Sequence, residues 1–175
     1  MNWVKAKALC DWLTAKTGKE WRLPLNSEWD AAVGNTKYPW GEYYPPHWDD
    51  GNYKILEDGA GDPKQIGVDG IFGTAPVASF NANALGFYDL GGNATEWMWD
   101  PDEKTGEGIM RGSSWFNYEG LSYSASRQKG RREVSGWSHN GIRLVRKSGR
   151  SEHCAVLLKQ MNFVTMHCGI GFVFC

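Results

Sequence analysis

The first seventeen residues place apolar and polar positions at the spacing of a helix. We expect a helix over residues 3–17 that ends at Gly18, since glycine accepts the left-handed backbone of a C-cap. Its inward face is predicted to carry five apolar residues, namely Val4, Ala8, Leu9, Trp12 and Leu13. The pattern therefore predicts a surface helix with one buried stripe.

A short extended piece and a second helix follow. Residues 21–24 (Trp-Arg-Leu-Pro) are typical of an extended segment that a proline stops. Asn26 or Ser27 then offers a side-chain cap for a new helix. The side chains predicted to point inward from this helix are Trp29, Ala32 and Val33.

The rest of the chain has weaker periodicity. Residues 34–74 are rich in glycine, proline, aspartate and asparagine, which predicts a long ordered loop region. Three later segments have the composition of short strands: 75–80, 109–115 and 141–146, the last with alternating faces. The pattern therefore predicts two N-terminal helices, a long ordered loop region and short strands.

One stretch, residues 83–99, combines large aromatics, turn glycines and oxygen-bearing side chains; we call it the core turn. Its aromatics are expected to be buried, and they are Tyr88, Trp97 and Trp99. Its oxygen-bearing side chains are Asp89, Asn93 and Glu96. Burial of these oxygens is costly unless they bind each other, backbone N–H groups or a hard cation such as Ca²⁺.

Composition narrows the function classes. The length of 175 residues suits one domain, and nineteen basic against twenty acidic residues give no charge that favours nucleic acid. Ten tryptophans and twenty-two glycines indicate a loop-rich fold held by aromatic anchors. The four cysteines lack C-x-x-C spacing, which favours reduced thiols over a zinc site or a disulfide framework. No signal peptide and no membrane span are predicted.

Four sequence pieces together resemble the formylglycine-generating enzyme (sulfatase-modifying factor) family. They are Trp21-Arg22-Leu23-Pro24 with Glu28-Trp29, Tyr38-Pro39-Trp40-Gly41, the core turn, and Arg111-Gly112-Ser113-Ser114-Trp115 with Gly141-Ile142-Arg143. The resemblance implies an α+β, C-type-lectin-like fold with two N-terminal helices, a long ordered loop region and short antiparallel strands over residues 1–147. A C-terminal tail, 148–175, of unassigned role follows. The family's domain normally begins upstream of the first helix, so we expect a shortened domain or a fragment.

The family's catalytic cysteines have no counterpart here. Two cysteines carry the copper-dependent oxidation in the enzymes, and Asn117 and Ser122 stand at those positions. Neither side chain supplies a thiolate, so the resemblance predicts a protein that is not an enzyme and that needs no copper. A divergent oxidoreductase that uses other residues in the same cleft is the alternative.

The resemblance also implies two structural calcium sites. The first set comprises the side chains of Asn52 and Asp69 with the carbonyls of Tyr53 and Ile71. The second comprises the side chains of Asp89 and Glu96 with the carbonyls of Gly92 and Ala94. Carboxylate and carbonyl oxygens are the ligands that Ca²⁺ prefers. The alternative is that the carboxylates only accept hydrogen bonds from turn amides.

The segment 115–140 mixes aromatic side chains with arginine, serine and asparagine, a composition typical of binding surfaces. The residues predicted to contact a ligand are Trp115, Phe116, Asn117, Tyr118, Ser122, Tyr123, Arg127, Trp137 and His139. The alternative is that the tryptophans belong to the core and the rest is a solvated loop.

A second resemblance concerns the same segment. In the variable proteins of diversity-generating retroelements, the hypervariable region occupies this place in a C-type-lectin-like fold. The resemblance predicts a protein ligand bound through residues 115–140, whereas the balanced charge predicts no nucleic-acid partner. The location stays unknown, and the lack of a predicted signal peptide or membrane span favours a cytoplasmic or phage-associated protein. The sequence leaves the ligand's identity and the oligomeric state open.

Overall fold

The structure, a computed structural model, describes residues 1–43, 46–53, 71, 73–116, 128–130, 137–146 and 164–166. Two helices precede all strands but one: α1 (Trp3–Thr17), β1 (Trp21–Arg22) and α2 (Asn26–Val33). The other strands are β2 (Thr95–Pro101), β3 (Gly108–Arg111), β4 (Gln128–Gly130), β5 (Asn140–Arg146) and β6 (Val164–Met166). The α+β class is confirmed.

The strands form one sheet in the order β1-β5-β2-β3-β4, and β6 also pairs with β5. Four pairings are antiparallel, as predicted. The pairing of β2 with β5 is parallel, with Thr95 opposite Asn140. A parallel pair needs a long crossover connection, and the chain between these strands supplies it by way of β3 and β4. Strand β6 lies within the C-terminal tail, so the tail contributes to the sheet.

Helix α1 begins and ends as its sequence predicts, but it buries a different face. The Asn2 side chain accepts a hydrogen bond from the Lys5 amide at 2.9 Å, and Gly18 closes the helix at φ +67°. The residues buried against the sheet are Trp3, Ala6 and Cys10, whereas Val4 and Trp12 are exposed, Trp12 at 57%. Leu9 and Leu13 of the predicted stripe are partly buried and pack against the core cluster. The prediction was wrong for Val4, Ala8 and Trp12, because a second stripe of helical spacing, from Trp3 to Cys10, faces the sheet instead.

A tertiary contact selects the stripe that α1 buries. The Trp3 indole N–H donates to the Met98 carbonyl of β2 at 2.7 Å. The Lys7 ammonium lies over the rings of Trp3 and Trp99, at 4.1 and 3.8 Å from their centroids. These contacts rotate the side of α1 that carries Trp3 toward the sheet.

Helix α2 packs as predicted, and only its cap differs. Trp29, Ala32 and Val33 are buried, in a cluster with side chains of β2 and β3. Leu25 is the N-cap, and its amide donates to the Glu28 carboxylate at 2.8 Å. Asn26, predicted as a cap, is instead a buried residue whose amide side chain donates to Asp100 at 2.6 Å. A long-range partner has replaced the local capping role.

Two strand predictions need correction. Residues 75–80 form no strand: the Ala75 amide donates to the Asn93 side chain at 2.9 Å, and the Ala78 amide donates to Asp89 at 2.7 Å. Side chains of the core turn therefore take the amides that a strand would pair. Strand β5 does not alternate, and six of its seven residues are buried because both of its faces are covered. Ile142 and Leu144 pack with α1, and Arg143 binds Glu96 and the Tyr88 carbonyl.

Among the described residues, no helix is both long enough and apolar enough to cross a bilayer.

Candidate functional site

The core turn is buried and held by its own polar side chains. Asn93, fully buried, accepts from the Ala75 amide and donates to the Ala75 carbonyl at 3.2 Å. Asp89 and Asn93 both adopt left-handed backbone, at φ +53° and +59°, a region that these two residue types tolerate better than most. Burial raises the pKa of the Asp89 carboxyl, while the Ala78 amide and the Arg143 guanidinium oppose that rise.

The aromatics of the core turn are not all buried. Trp97 is fully buried and its indole donates to the Met1 carbonyl at 2.9 Å. Trp99 is half-buried, and Tyr88 is exposed at 41%. The Tyr88 backbone carbonyl accepts from Arg143 at 2.8 Å, so its main chain is held while its ring points to solvent. The prediction that Tyr88 is a core residue was wrong.

The first predicted calcium set has one well-suited buried oxygen. Asn52 is fully buried and its amide nitrogen donates to the Gly73 carbonyl at 2.8 Å and to the Asn93 side chain at 3.3 Å. Its Oδ1 atom has no hydrogen-bond partner among the described residues. Such an orphaned oxygen fits a cation ligand. Of the other members of this set, Tyr53 is buried and Ile71 is half-buried. Asp69 lies outside the described residues.

The second predicted calcium set is partly engaged by protein groups. The Asp89 Oδ1 atom has no partner in the part of the chain that the structure describes. Both oxygens of Glu96, however, accept from Arg143, at 2.9 and 2.8 Å. Gly92 and Ala94 are buried in the same turn. Across the described residues, no three His, Cys, Asp or Glu side chains group closely enough to hold a metal by themselves. Calcium at either set stays a prediction.

Four of the predicted ligand-contacting residues lie together on the surface. The rings of Phe116 and His139 stack with centroids 5.3 Å apart and planes 11° apart, and those of Trp137 and His139 with centroids 6.3 Å apart and planes 13° apart. Trp115 meets Phe116 edge to face at 5.6 Å. Phe116 is 48% and Trp137 65% exposed. We call these four residues the aromatic row.

The core turn holds both segments of the aromatic row through the backbone. The Trp115 amide donates to the Asn93 carbonyl at 3.1 Å, and the Thr95 amide donates to the His139 carbonyl at 2.9 Å. Burial and the nearby N-terminal ammonium lower the pKa of His139, so its ring is neutral at neutral pH. Exposed rings are thus fixed on a rigid support. The remaining predicted contact residues, Asn117, Tyr118, Ser122, Tyr123 and Arg127, lie outside the described residues.

The structure adds a cavity that the sequence did not predict. It has a volume of about 80 Å³ and lies between the loops around Trp40 and Asp50 and the start of the core turn around Asn83, Phe87 and Asp89. Its walls come from segments far apart in sequence, so no local pattern could have indicated it. The only sequence signal was the density of turn residues and aromatics between residues 38 and 50.

A comparison with protein families assigns the fold. The model of the sulfatase-modifying factor enzyme 1-like domain matches residues 1–148. The chain belongs to this family. Solved structures agree: PvdO from Pseudomonas aeruginosa superposes with a TM-score of 0.65 at 26% identity, over 85% of this chain and 60% of that one. The Treponema denticola variable protein 1 gives 0.65 at 21% identity, over 82% of this chain and 68% of that one. The C-type-lectin-like fold is confirmed.

Curated members of the sulfatase-modifying factor family include enzymes. The formylglycine-generating enzyme of Bos taurus is 36% identical over 104 residues, which are 57% of this chain and 26% of the enzyme. The enzyme of Thermomonospora curvata is 34% identical over 105 residues, which are 57% of this chain and 32% of that enzyme. The matched region thus spans about a third or less of these relatives' length.

Proposed function

We propose that this family member is a non-catalytic ligand-binding domain that presents the surface of residues 115–140 to a protein ligand. The aromatic row carries the proposal, because Phe116 and Trp137 are large, exposed and backed by stacked rings. Aromatic side chains held rigidly lose little entropy on binding, and such residues dominate the energetics of protein interfaces. Isolated exposed apolar residues are common, but a stacked group of them marks an interaction site.

The backbone contacts that hold the aromatic row would persist if the side chains of the row were replaced. Asn93 and Thr95 hold Trp115 and His139 by main-chain hydrogen bonds, which do not depend on the side chains of the row. We propose that the surface is diversified by a retroelement, in line with the fold that the chain shares with the Treponema denticola variable protein 1. Sequencing of sister copies from the same genome tests this part: they should differ mainly at residues 116–124, and identical copies would overturn it.

Absence of catalysis is the second part of the proposal. Asn117 and Ser122 stand where the resemblance places the catalytic cysteines, and neither side chain forms a thiolate. The alternative, a divergent oxidoreductase, is favoured by the identity to the formylglycine-generating enzyme of Bos taurus. The protein should form no formylglycine in a cysteine-containing peptide in the presence of copper and oxygen. Formylglycine detected by mass spectrometry would revive the enzymatic alternative.

Binding is tested with a protein ligand selected from a displayed library against the wild-type domain. The double variant Phe116→Ala/Trp137→Ala should lose about 2 kcal/mol or more of binding free energy in titration calorimetry. Trp12→Ala is the control, because Trp12 is a tryptophan on α1, 57% exposed, that lies outside the aromatic row. Melting curves verify that all three proteins fold. Equal affinity of the double variant and the control would overturn the proposal.

A further inference from the structure

The edge of β5 that faces away from β2 carries two short strands, and we call it the outer edge. Ile142 pairs with Trp97 of β2 on one side and with Met166 of β6 on the other, so β6 lies on the outer edge. Strand β1 lies there too, because β1 and β2 are the two neighbours of β5 in the order of the sheet. The two strands cover different stretches of the outer edge: β1 pairs at residues 145–146 and β6 at residues 142–144.

Strand β1 covers only one end of the outer edge. After it pairs with Val145 and Arg146 the chain turns away, because the Pro24 carbonyl accepts a hydrogen bond from the Trp99 amide of β2 at 2.8 Å. Proline also has no N–H group with which to extend a ladder. Among the described strands within residues 1–148, the span of the family match, none pairs with residues 142–144 on the outer edge.

The strand that covers residues 142–144 comes from the C-terminal tail. β6 pairs antiparallel with β5, with Val164 opposite Leu144 and Met166 opposite Ile142. It has three residues, it pairs with no other described strand, and residues 147–163 connect it to β5. A strand so short, attached by a connection so long, can leave the edge while strands β1 to β5 stay in place. The outer edge then presents unpaired N–H and C=O groups, which are a template for another strand.

The side chains of β5 restrict which sequences can pair with residues 142–144. Ile142 and Leu144 are each 1% exposed and belong to the core cluster that packs on α1. Arg143 points to the opposite face, where its guanidinium is bound to Glu96 and to the Tyr88 carbonyl. Residues directly opposite each other in paired strands lie on the same face. A strand on this stretch should therefore carry apolar side chains opposite Ile142 and Leu144, and a small neutral one opposite Arg143, which already has its counter-ion.

The sequence of β6, Val164-Thr165-Met166, has this alternation. We propose that residues 142–144 of the outer edge form a docking site for an extended segment of a partner protein with the pattern apolar, small neutral, apolar, and that β6 occupies this site until the partner displaces it. In this mode of recognition, main-chain hydrogen bonds supply affinity and alternate side chains supply specificity. β6 competes as a tethered strand at an effective concentration on the order of millimolar, so at lower concentrations only a segment that binds more tightly than β6 displaces it.

The test uses the full chain and a fluorescently labelled peptide of residues 162–167, Asn-Phe-Val-Thr-Met-His. In the double variant Val164→Pro/Thr165→Pro the tail strand cannot pair. Successive N–H groups of a strand alternate between its two edges, so one of the two prolines removes an N–H that faces β5. Fluorescence anisotropy should show the peptide binding this variant at least about tenfold more tightly than wild type, whose own strand competes. Ser151→Pro/Glu152→Pro, with two prolines in the tail outside β6, is the matched control and should behave like wild type.

Two further measurements test the pattern and the exchange of the strand. A peptide carrying Val164→Asp/Met166→Asp should not bind the double variant, because it places carboxylates opposite Leu144 and Ile142. In wild type, the amides of residues 164–166 should exchange with deuterium faster than those of residues 95–97 in β2, because β6 leaves the edge without unfolding of the domain. The exchange measurement needs no variant.

Several results would overturn the docking site. They are equal affinity of the peptide for wild type and for a folded double variant, no binding to that variant, equal binding of the aspartate peptide, or exchange at residues 164–166 as slow as at residues 95–97. If the double variant does not fold, the exchange measurement on wild type still decides. Addition of Phe116→Ala/Trp137→Ala to the double variant should leave peptide binding unchanged, so failure of this site and failure of the proposed function are distinguishable.

Discussion

Arg143 and Glu96 form a buried ion pair that joins the parallel strands β5 and β2. The Arg143 Nε atom donates to Glu96 Oε2 at 2.9 Å and Nη2 donates to Oε1 at 2.8 Å, and both side chains are almost fully buried. The same guanidinium donates to the Tyr88 carbonyl. One arginine of β5 therefore connects this strand both to β2 and to the backbone of the core turn.

Removal of the Glu96 charge should strongly destabilise the domain. Glu96→Gln leaves the Arg143 guanidinium buried without its counter-ion, and breaking a buried pair in this way costs about 3–5 kcal/mol. The free energy of unfolding in urea measures the effect. Glu103→Gln, on an exposed turn, is the control and should change stability by about 0.5 kcal/mol at most. A loss below about 1 kcal/mol in Glu96→Gln would contradict the structure.

Alanine substitutions at two glycines with similar backbone angles distinguish the cost of a left-handed backbone from the cost of a steric clash. Gly18 and Gly92 have φ of +67° and +74°. A Cβ atom would meet nothing within 4 Å at Gly18, but it would lie 2.5 Å from the Asn52 carbonyl oxygen at Gly92. Gly18→Ala should cost about 1–2 kcal/mol for the left-handed backbone alone, and Gly92→Ala should cost a further 1–3 kcal/mol or so for the overlap. Equal losses in urea unfolding would argue against the close approach of Asn52 to the core turn.

Because the pKa of His139 is lowered in the folded protein, the free energy of unfolding should decrease as the pH falls. Near its ordinary pKa of 6.5, the unfolded chain binds a proton that the folded protein does not, so the contribution of His139 to stability is lost as pH falls below that value. His139→Phe keeps an aromatic ring in the row and removes this loss. The difference in unfolding free energy between wild type and variant should therefore change between about pH 7.5 and about pH 5.

Acetylation of the N-terminus provides a second test of the lowered pKa of His139. It removes the ammonium charge that helps to lower the pKa of His139. The pKa measured by NMR titration of the His139 ring should rise in the acetylated protein. Parallel pH profiles for wild type and His139→Phe would contradict the burial of the ring.

Calcium should stabilise the domain through Asn52. Its orphaned Oδ1 atom provides a ligand, and a cation at a hundredfold its dissociation constant adds about 2.7 kcal/mol. Thermal melting with calcium and with a chelator measures the effect. Asn52→Ala should abolish the difference, whereas Asn81→Ala, which removes an exposed hydrogen bond to Asp49, should retain it. A wild-type melting curve indifferent to calcium and chelator would refute the site.

Local signals in the sequence were sufficient for several elements. The inward face of α2 was predicted because one helical stripe alone was both large and apolar, with Trp29 at its centre. Gly18 was predicted as a cap because its backbone requirement is local. The motifs from Trp21 to Arg143 predicted the family and its fold, which the family model and the solved structures confirm.

Long-range partners decided the rest. In α1 two stripes had equal periodicity, and the bond from Trp3 to the Met98 carbonyl selected one of them. Residues 75–80 have strand composition, but the side chains of Asn93 and Asp89 accept from the amides of Ala75 and Ala78.

The sequence by itself determined the fold family, the two helices and the aromatic composition of residues 115–140. Only the tertiary structure brought Phe116 onto His139 and set Asp89 in the wall of a cavity. The physical reason is that helical periodicity and turn chemistry act between neighbours in the chain. Ring stacking, buried ion pairs and cavities depend on which distant segments the packed core brings together.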